Sequence, residues 1–217
     1  MASITPLITL NYQAFEEAPI ATKPSPHIVV PHFLNSENLK KILPALPTIS
    51  KGGSYPPGAL SLSAPMKALI AEMESPKLRE AISKKFSIDV ANAPSMLTLR
   101  GYSREKDGQI HTDSLSKKVT ILLFLNEDSP KWDSHHGCLR FLNSPDNLDD
   151  YSAEIRPVNG TLVVFPNSST SWHGYHTYVG PRFSIQLNYM HRDSKAQSEL
   201  FRHKLSAFTK KISLLTH

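Results

Sequence analysis

The chain has 217 residues, of which 40% are hydrophobic and 20% are charged, a size and composition typical of one soluble globular domain. It contains a single cysteine, Cys138, which excludes an intramolecular disulfide and favours a reducing, cytoplasmic setting. No apolar stretch is long enough for a membrane helix, and the first residues lack the pattern of a secretory signal.

The formal net charge of +5 admits an acidic partner such as nucleic acid, a phosphorylated sugar or an anionic lipid. Much of the basic excess follows residue 190, where we expect it to solvate the outer face of a terminal helix rather than to form an anion-binding surface. The basic residues concerned are Arg192, Lys195, Arg202, Lys204, Lys210 and Lys211.

Residues 1–94 show patterns of short apolar runs that predict a supporting layer of helices with one strand. The run HIVV at 27–30 predicts the strand. Asn35 or Ser36 can cap a helix, because either side chain accepts a bond from a free amide of the first turn. The apolar positions that follow keep the helical period: Leu39, Ile42, Leu43 and Leu46.

A loop and another helix complete this part. The sequence SKGGSYPPG at 50–58 is rich in glycine and proline and predicts an irregular loop. Ser75 followed by Pro76 predicts a helix start, since serine caps the free amides and proline is tolerated in the first turn. The apolar stripe of that helix ends near Ile88.

From residue 95 the pattern changes to short runs rich in β-branched and aromatic residues, separated by turn-forming residues. The predicted strands are Met96–Tyr102, Lys118–Asn126, Gly137–Asn143, Ala153–Arg156, Thr161–Phe165 and Arg182–Met190. About eight strands beneath a helical layer are typical of a double-sheet jelly roll.

We therefore predict one domain over 1–217, mainly β with helical support (α+β). Its parts are N-terminal support over 1–94, a double-stranded β-helix (jelly roll) core over 95–191 and a C-terminal helix over 192–217.

Two of these strands carry distinct patterns. Residues 118–125 are apolar on both faces and predict a central strand that is covered on both sides. Residues 182–189 alternate, with Arg, Ser, Gln and Asn on one face and Phe, Ile, Leu and Tyr on the other. That alternation is typical of a strand forming the wall of a polar cavity.

His111, Asp113 and His173 carry the chemistry of a metal site. Two residues two apart on a strand share one face, so His111 and Asp113 can both face one ion. Two histidines and one carboxylate are the ligand set of a mononuclear non-haem iron site with open positions. For the third ligand we favour His173 over His176, because it is nearer the strand start and its spacing to Arg182 allows a tight hairpin.

Arg182 and Ser184 predict a binding site for a dicarboxylate cosubstrate. Arginine offers a planar fork that matches a carboxylate, and Ser184 on the same face can donate to the same group. Tyr102 can donate a phenolic hydrogen bond there or serve as a core aromatic. Arg140 can line the cavity or form a surface ion pair, and both interpretations stay open.

Other groups favour structural roles. His135, His136 and Cys138 lack the second pair that a zinc site needs, so we favour a loop. Trp132 and Trp172 can contact substrate or pack in the core, and we favour packing because each is isolated in the sequence.

Residues 94–190 resemble the bacterial prolyl-4-hydroxylase-like branch of the 2-oxoglutarate/iron(II) dioxygenases. The matching pieces are RGY at 100–102, DGQIHTD at 107–113, TILLFLN at 120–126, GCLR at 137–140, GTL at 160–162, SWHG at 171–174 and GPRFS at 180–184. The resemblance implies iron(II) bound by His111, Asp113 and His173. It also implies that the distal carboxylate of 2-oxoglutarate pairs with Arg182.

The resemblance implies hydroxylation of an unactivated C–H bond with molecular oxygen. In this reaction 2-oxoglutarate is converted to succinate and carbon dioxide. Ascorbate is a candidate reductant. The candidate substrates are a peptidyl or free amino acid, a small metabolite and a glycan precursor. The alternative is a cupin-like isomerase or sugar-binding jelly roll, which has no need of Arg182 and Ser184. A nucleic-acid demethylase is disfavoured, because such relatives carry a second arginine where this chain has Asn188.

Overall fold

Eight strands form two antiparallel sheets in the computed structural model, which describes residues 8–202. The strands are β1 Ile28–Val30, β2 Ser95–Ser103, β3 Lys117–Phe124, β4 Leu139–Leu142, β5 Tyr151–Ile155, β6 Leu162–Pro166, β7 His173–Gly174 and β8 Gly180–Met190. The larger sheet has the order β1-β6-β3-β8-β2 and the smaller one β5-β4-β7. The predicted fold, a two-sheet jelly roll with helices beside it, is confirmed.

The helices lie mainly in the first part of the chain. They are α1 Tyr12–Glu17, α2 Ser36–Ile42, α3 Ala64–Met73 and α4 Pro76–Phe86, and a fifth helix, α5, covers 194–202. None of the described helices combines the length and the apolar character that crossing a bilayer requires. The remaining part of the predicted C-terminal helix, 203–217, lies outside the described residues.

Both predicted helix caps are confirmed. The side chain of Asn35 accepts a bond from the Asn38 amide at 2.9 Å, and the Ser75 hydroxyl accepts one from the Leu78 amide at 3.3 Å. Helix α2 is shorter than its apolar period predicts, because Pro44 cannot donate the next helical bond; residues Leu43–Ala45 form a 3-10 turn instead.

The central position of β3 is confirmed, since it pairs with β6 on one side and β8 on the other. The predicted hairpin between the strands of His173 and Arg182 is wrong. Strand β7 belongs to the smaller sheet and β8 to the larger one, so the connection 175–179 passes between the sheets.

The hydrophobic core is divided in two, and this division leaves room for a cavity. One cluster joins the larger sheet to the helices and includes Ile185 and Leu187 of β8 with Leu78 and Ile82 of α4. A smaller cluster fills part of the space between the sheets: Phe124, Leu139, Phe141, Ile155, Val163 and Phe165. The rest of that space is a cavity lined by both polar and apolar residues.

Candidate active site

A cavity of ≈ 290 Å³ lies between the two sheets. Strand β8 provides one wall through alternate residues, as its sequence predicts: Arg182, Ser184, Gln186 and Asn188 face the cavity. The charged or metal-ligating residues of the lining are Arg100, His111, Asp113, Lys117, His173 and Arg182.

The structure brings His111, Asp113 and His173 together. Potential ligand atoms of the three side chains lie within 4.8 Å of one another, and within residues 8–202 no other group of three or more His, Cys, Asp or Glu residues meets this condition. His111 lies on a loop that reaches the smaller sheet through a β-bridge, in which its amide bonds the His173 carbonyl at 3.0 Å and the reverse bond has the same length. Backbone pairing therefore fixes the separation of the two imidazoles.

Each imidazole is oriented by a bond to a backbone carbonyl. Nδ1 of His111 lies 2.8 Å from the Gln109 carbonyl, and Nδ1 of His173 lies 2.9 Å from the Ser171 carbonyl. A carbonyl can only accept, so each Nδ1 carries a proton, and Nε2 is the nitrogen of each ring that can bind a metal. Burial, together with the charge of His111, lowers the pKa of His173 to about 4, which keeps its ring neutral near pH 7.

Asp113 is buried and has a partner on each oxygen. Lys117 Nζ donates to one oxygen and the Thr120 hydroxyl to the other, each at 2.6 Å. Burial by itself raises the pKa of the Asp113 carboxyl, but Lys117, His173 and Thr120 more than offset it, and the pKa lies below its usual value. The carboxylate is therefore charged and fixed in orientation.

Arg182 lies at another part of the cavity as a buried cation. Its Nε donates to the Gly137 carbonyl at 2.9 Å, and its guanidinium carbon lies 4.4 Å from the ring centre of Tyr175. Burial lowers its pKa, yet a guanidinium remains protonated in proteins. Among residues 8–202 no carboxylate lies within ion-pair distance of Arg182, so its remaining donors are available to a ligand.

Ser184 and Tyr102 are both predicted to bind the cosubstrate, but the structure places only Ser184 in the cavity lining. Ser184 lines the cavity. Tyr102 does not: the register between β2 and β8 shifts between Arg100 and Tyr102, and Tyr102 is absent from the lining. The structure therefore gives no support to Tyr102 as a cosubstrate ligand, and Tyr175 is the tyrosine that contacts Arg182.

Arg140 and His176 lie outside the cavity lining. Arg140 forms ion pairs with Glu154 and Asp149, each at 2.6 Å, so the ion-pair interpretation holds, although the arginine side chain is buried. His176 Nε2 lies 2.7 Å from Asp149. His135, in the loop before β4, pairs with Glu154.

The family comparison identifies the class. Residues 97–190 match the model of the 2OG-Fe(II) oxygenase superfamily. The match supports the predicted superfamily, and the predicted class of enzyme, a dioxygenase or hydroxylase, is confirmed. The superfamily implies iron(II), 2-oxoglutarate and oxygen. No curated protein sequence matches the chain.

Solved structures show the same fold. A prolyl-4-hydroxylase from Pseudomonas putida aligns with a TM-score of 0.55 at 19% identity, over 88% of this chain and 98% of that one. A prolyl 4-hydroxylase from Phytophthora capsici aligns with a TM-score of 0.58 at 13% identity, over 97% and 79%. The viral collagen prolyl hydroxylase of Paramecium bursaria Chlorella virus-1 gives 0.52 at 14% identity, over 77% and 90%. The predicted prolyl-4-hydroxylase-like fold is confirmed.

Sequence reasoning missed two residues of the site. Thr120 is predicted as a strand residue and lies in the matching piece TILLFLN, but it is not predicted as a site residue, although it lines the cavity and donates to Asp113. Tyr175 lies two residues after His173, and a period of two would have placed both on one face. Tyr175 also packs on Gly108, where an added Cβ would lie 2.5 Å from the tyrosine ring.

Proposed function

We propose that the protein hydroxylates an unactivated C–H bond of its substrate at an iron(II) held by His111, Asp113 and His173, with 2-oxoglutarate anchored by Arg182. The observation that carries this proposal is the convergence of those three side chains within 4.8 Å in the same cavity as an unpaired, buried guanidinium.

The donor set fits a ferrous ion. Two neutral imidazoles and one carboxylate are the facial ligands of non-haem iron oxygenases. Hydrogen bonds to ligands orient them and raise metal affinity, and all three side chains here have such bonds. When bound, the iron supplies the activation of oxygen that the side chains cannot perform themselves.

The overall reaction balances with the cosubstrate. One atom of O₂ enters the new carboxylate of succinate as carbon dioxide leaves, and the other enters the hydroxyl group of the product. The chain provides orientation and charge: Arg182 with Ser184 holds the distal carboxylate. Leu122, Phe124 and Leu139 add an apolar part to the lining.

For the substrate we propose two broad classes of molecule. A prolyl residue of a peptide is one candidate because solved prolyl hydroxylases share the fold. A free amino acid, a small metabolite or a glycan precursor is the other class. Ser54, from the loop at 50–58, belongs to the cavity lining, so this loop contributes to the choice of substrate.

Oxygen-dependent formation of succinate from 2-oxoglutarate tests the proposal, with Fe(II) and ascorbate present as the proposed reductant. We expect turnover in the wild type and none above background in His111→Ala. His176→Gln is the matched control, since it removes a histidine three positions from His173 that lies outside the cavity lining. Equal turnover in His111→Ala and wild type would contradict the assignment.

A further inference from the structure

A second arginine faces the cavity, and the proposed cosubstrate site does not use it. Arg100 on β2 pairs with Ser184 on β8 in the sheet register, and both Arg100 and Arg182 line the cavity. The positive charge of Arg100 acts with burial to lower the pKa of Arg182. Two cations held in one cavity attract anionic ligands.

Most hydrogen-bond donors of Arg100 stay available to a ligand, because Asp107, the acidic residue near it, is already paired with Arg104. The nearest approach of Arg100 to Asp107 is 3.9 Å. Arg104 holds the same carboxylate with two side-chain bonds of 3.1 and 2.9 Å and a backbone bond of 2.9 Å. The charge of Asp107 is therefore largely compensated by Arg104, while the guanidinium of Arg100 stays accessible.

With iron(II) and 2-oxoglutarate bound, the charges of the cavity do not sum to zero. Lys117 compensates Asp113, with which it forms a 2.6 Å ion pair. The two charges of a ferrous ion are balanced by the two carboxylates of 2-oxoglutarate. Arg182 and Arg100 then leave two positive charges in a partly enclosed cavity, where electrostatic interactions are stronger than in water.

We propose that the substrate carries an oxyanion group, a carboxylate or a phosphate, that Arg100 binds. The inference rests on the proposed function, since the charge count assumes bound iron and 2-oxoglutarate. A guanidinium fork can bind either group with two parallel hydrogen bonds. This favours an acidic metabolite or glycan precursor over a neutral prolyl peptide.

The test uses protein loaded with Zn(II), which is redox-inactive, and saturating 2-oxoglutarate. Propanoate, inorganic phosphate and the neutral propanamide are titrated by ligand-observed NMR into wild type, Arg100→Gln and Arg100→Lys. Lys118→Gln is the matched control, because it removes a positive charge from β3 outside the cavity lining. The dissociation constant of 2-oxoglutarate is measured for each variant and for Arg182→Gln, and circular dichroism verifies folding.

We expect Arg100→Gln to weaken oxyanion binding roughly tenfold to hundredfold, the loss typical of a hydrogen-bonded charge pair, with Arg100→Lys in between. The affinity for 2-oxoglutarate and the behaviour of Lys118→Gln should not change. The oxyanion bound more tightly by the wild type, propanoate or phosphate, identifies the group.

Three results would overturn the inference. If Arg100→Gln loses 2-oxoglutarate as Arg182→Gln does, Arg100 belongs to the cosubstrate site. If the loaded wild type binds the oxyanions no better than propanamide, the inference fails while the proposed function stands. If 2-oxoglutarate does not bind the zinc protein at all, the proposed function fails and the inference with it.

Discussion

Thr120 shows how one hydroxyl can set the geometry of a metal ligand. Its Oγ1 lies 2.6 Å from Asp113 and 3.1 Å from the Asn188 side-chain oxygen. It has a single proton to donate, and the shorter contact to a charged acceptor is the stronger bond. The Asn167 amide donates to the same oxygen at 3.0 Å, so a short chain of bonds ends at the carboxylate.

We expect Thr120→Val to lower the affinity for divalent metal roughly tenfold to hundredfold, as loss of a bond to a metal ligand does. Valine keeps the shape of threonine but leaves one Asp113 oxygen without its donor. Titration with Mn(II) measures the effect. Thr98→Val is the control, because Thr98 lines the same cavity and no hydrogen bond joins it to Asp113; an equal loss in both variants would argue against a specific role for Thr120.

The reactivity of Cys138 tests whether its side chain is buried as the structure shows. The thiol is fully buried, and burial, together with the charge of Glu154, raises its pKa to about 11. Because the thiolate is the reactive form, alkylation of the folded protein at pH 8 should be much slower than in urea. The native rate should continue to increase with pH beyond 9, where the unfolded thiol approaches full ionisation. Equal rates at pH 8 would contradict the buried position.

At the scale of elements, the helix starts and strand faces that neighbouring residues determine are predictable from the sequence. Ser75 before Pro76 is a local signal for a helix start, and the alternation along β8 directly reports which side chains face the cavity. Helices α1 and α3 were missed. Their starts are also capped, by Asn11 and Ser63, but α1 has only six residues, and the low amphipathicity of α3 gives a weak periodic signal.

The relative placement of elements was harder to predict. A spacing of nine between His173 and Arg182 fits a hairpin, yet β7 pairs with β4 in the other sheet. Such non-local pairing is decided by closure of the two sheets around the core rather than by nearby residues. Tyr102 illustrates the same limit, since an irregularity after Arg100 changes which residues of β2 face the cavity.

The cap of α4 gives a prediction for an element. Ser75→Ala should lower the free energy of unfolding by about 1 kcal/mol, because one amide of the first turn loses its acceptor. Urea denaturation followed by circular dichroism measures this. Ser61→Ala, at an exposed loop position, serves as the control, and an equal effect of both changes would rule out the cap as the cause.

At the scale of the whole molecule, the site joins both sheets. His173 belongs to the smaller sheet and Arg182 to the larger one, while Asp113 lies on the loop before β3. A metal and a cosubstrate that contact all three should therefore stabilise the assembled jelly roll against unfolding.

We expect Mn(II) and 2-oxoglutarate to raise the free energy of unfolding by about 2.7 kcal/mol each at a hundredfold excess over the dissociation constant. Thermal unfolding with and without each ligand measures the change, and removal of the metal with a chelator should reverse it. Arg182→Gln should lose the increment due to 2-oxoglutarate and keep that due to Mn(II). Loss of both increments would indicate a general folding defect instead.

Diffraction at the iron absorption edge, from crystals grown without oxygen in Fe(II) and 2-oxoglutarate, locates the metal directly. We predict one anomalous peak between the imidazoles of His111 and His173 and the Asp113 carboxylate, with the distal carboxylate of 2-oxoglutarate against Arg182. An iron peak elsewhere in the chain, or a cosubstrate that does not contact Arg182, would contradict this assignment.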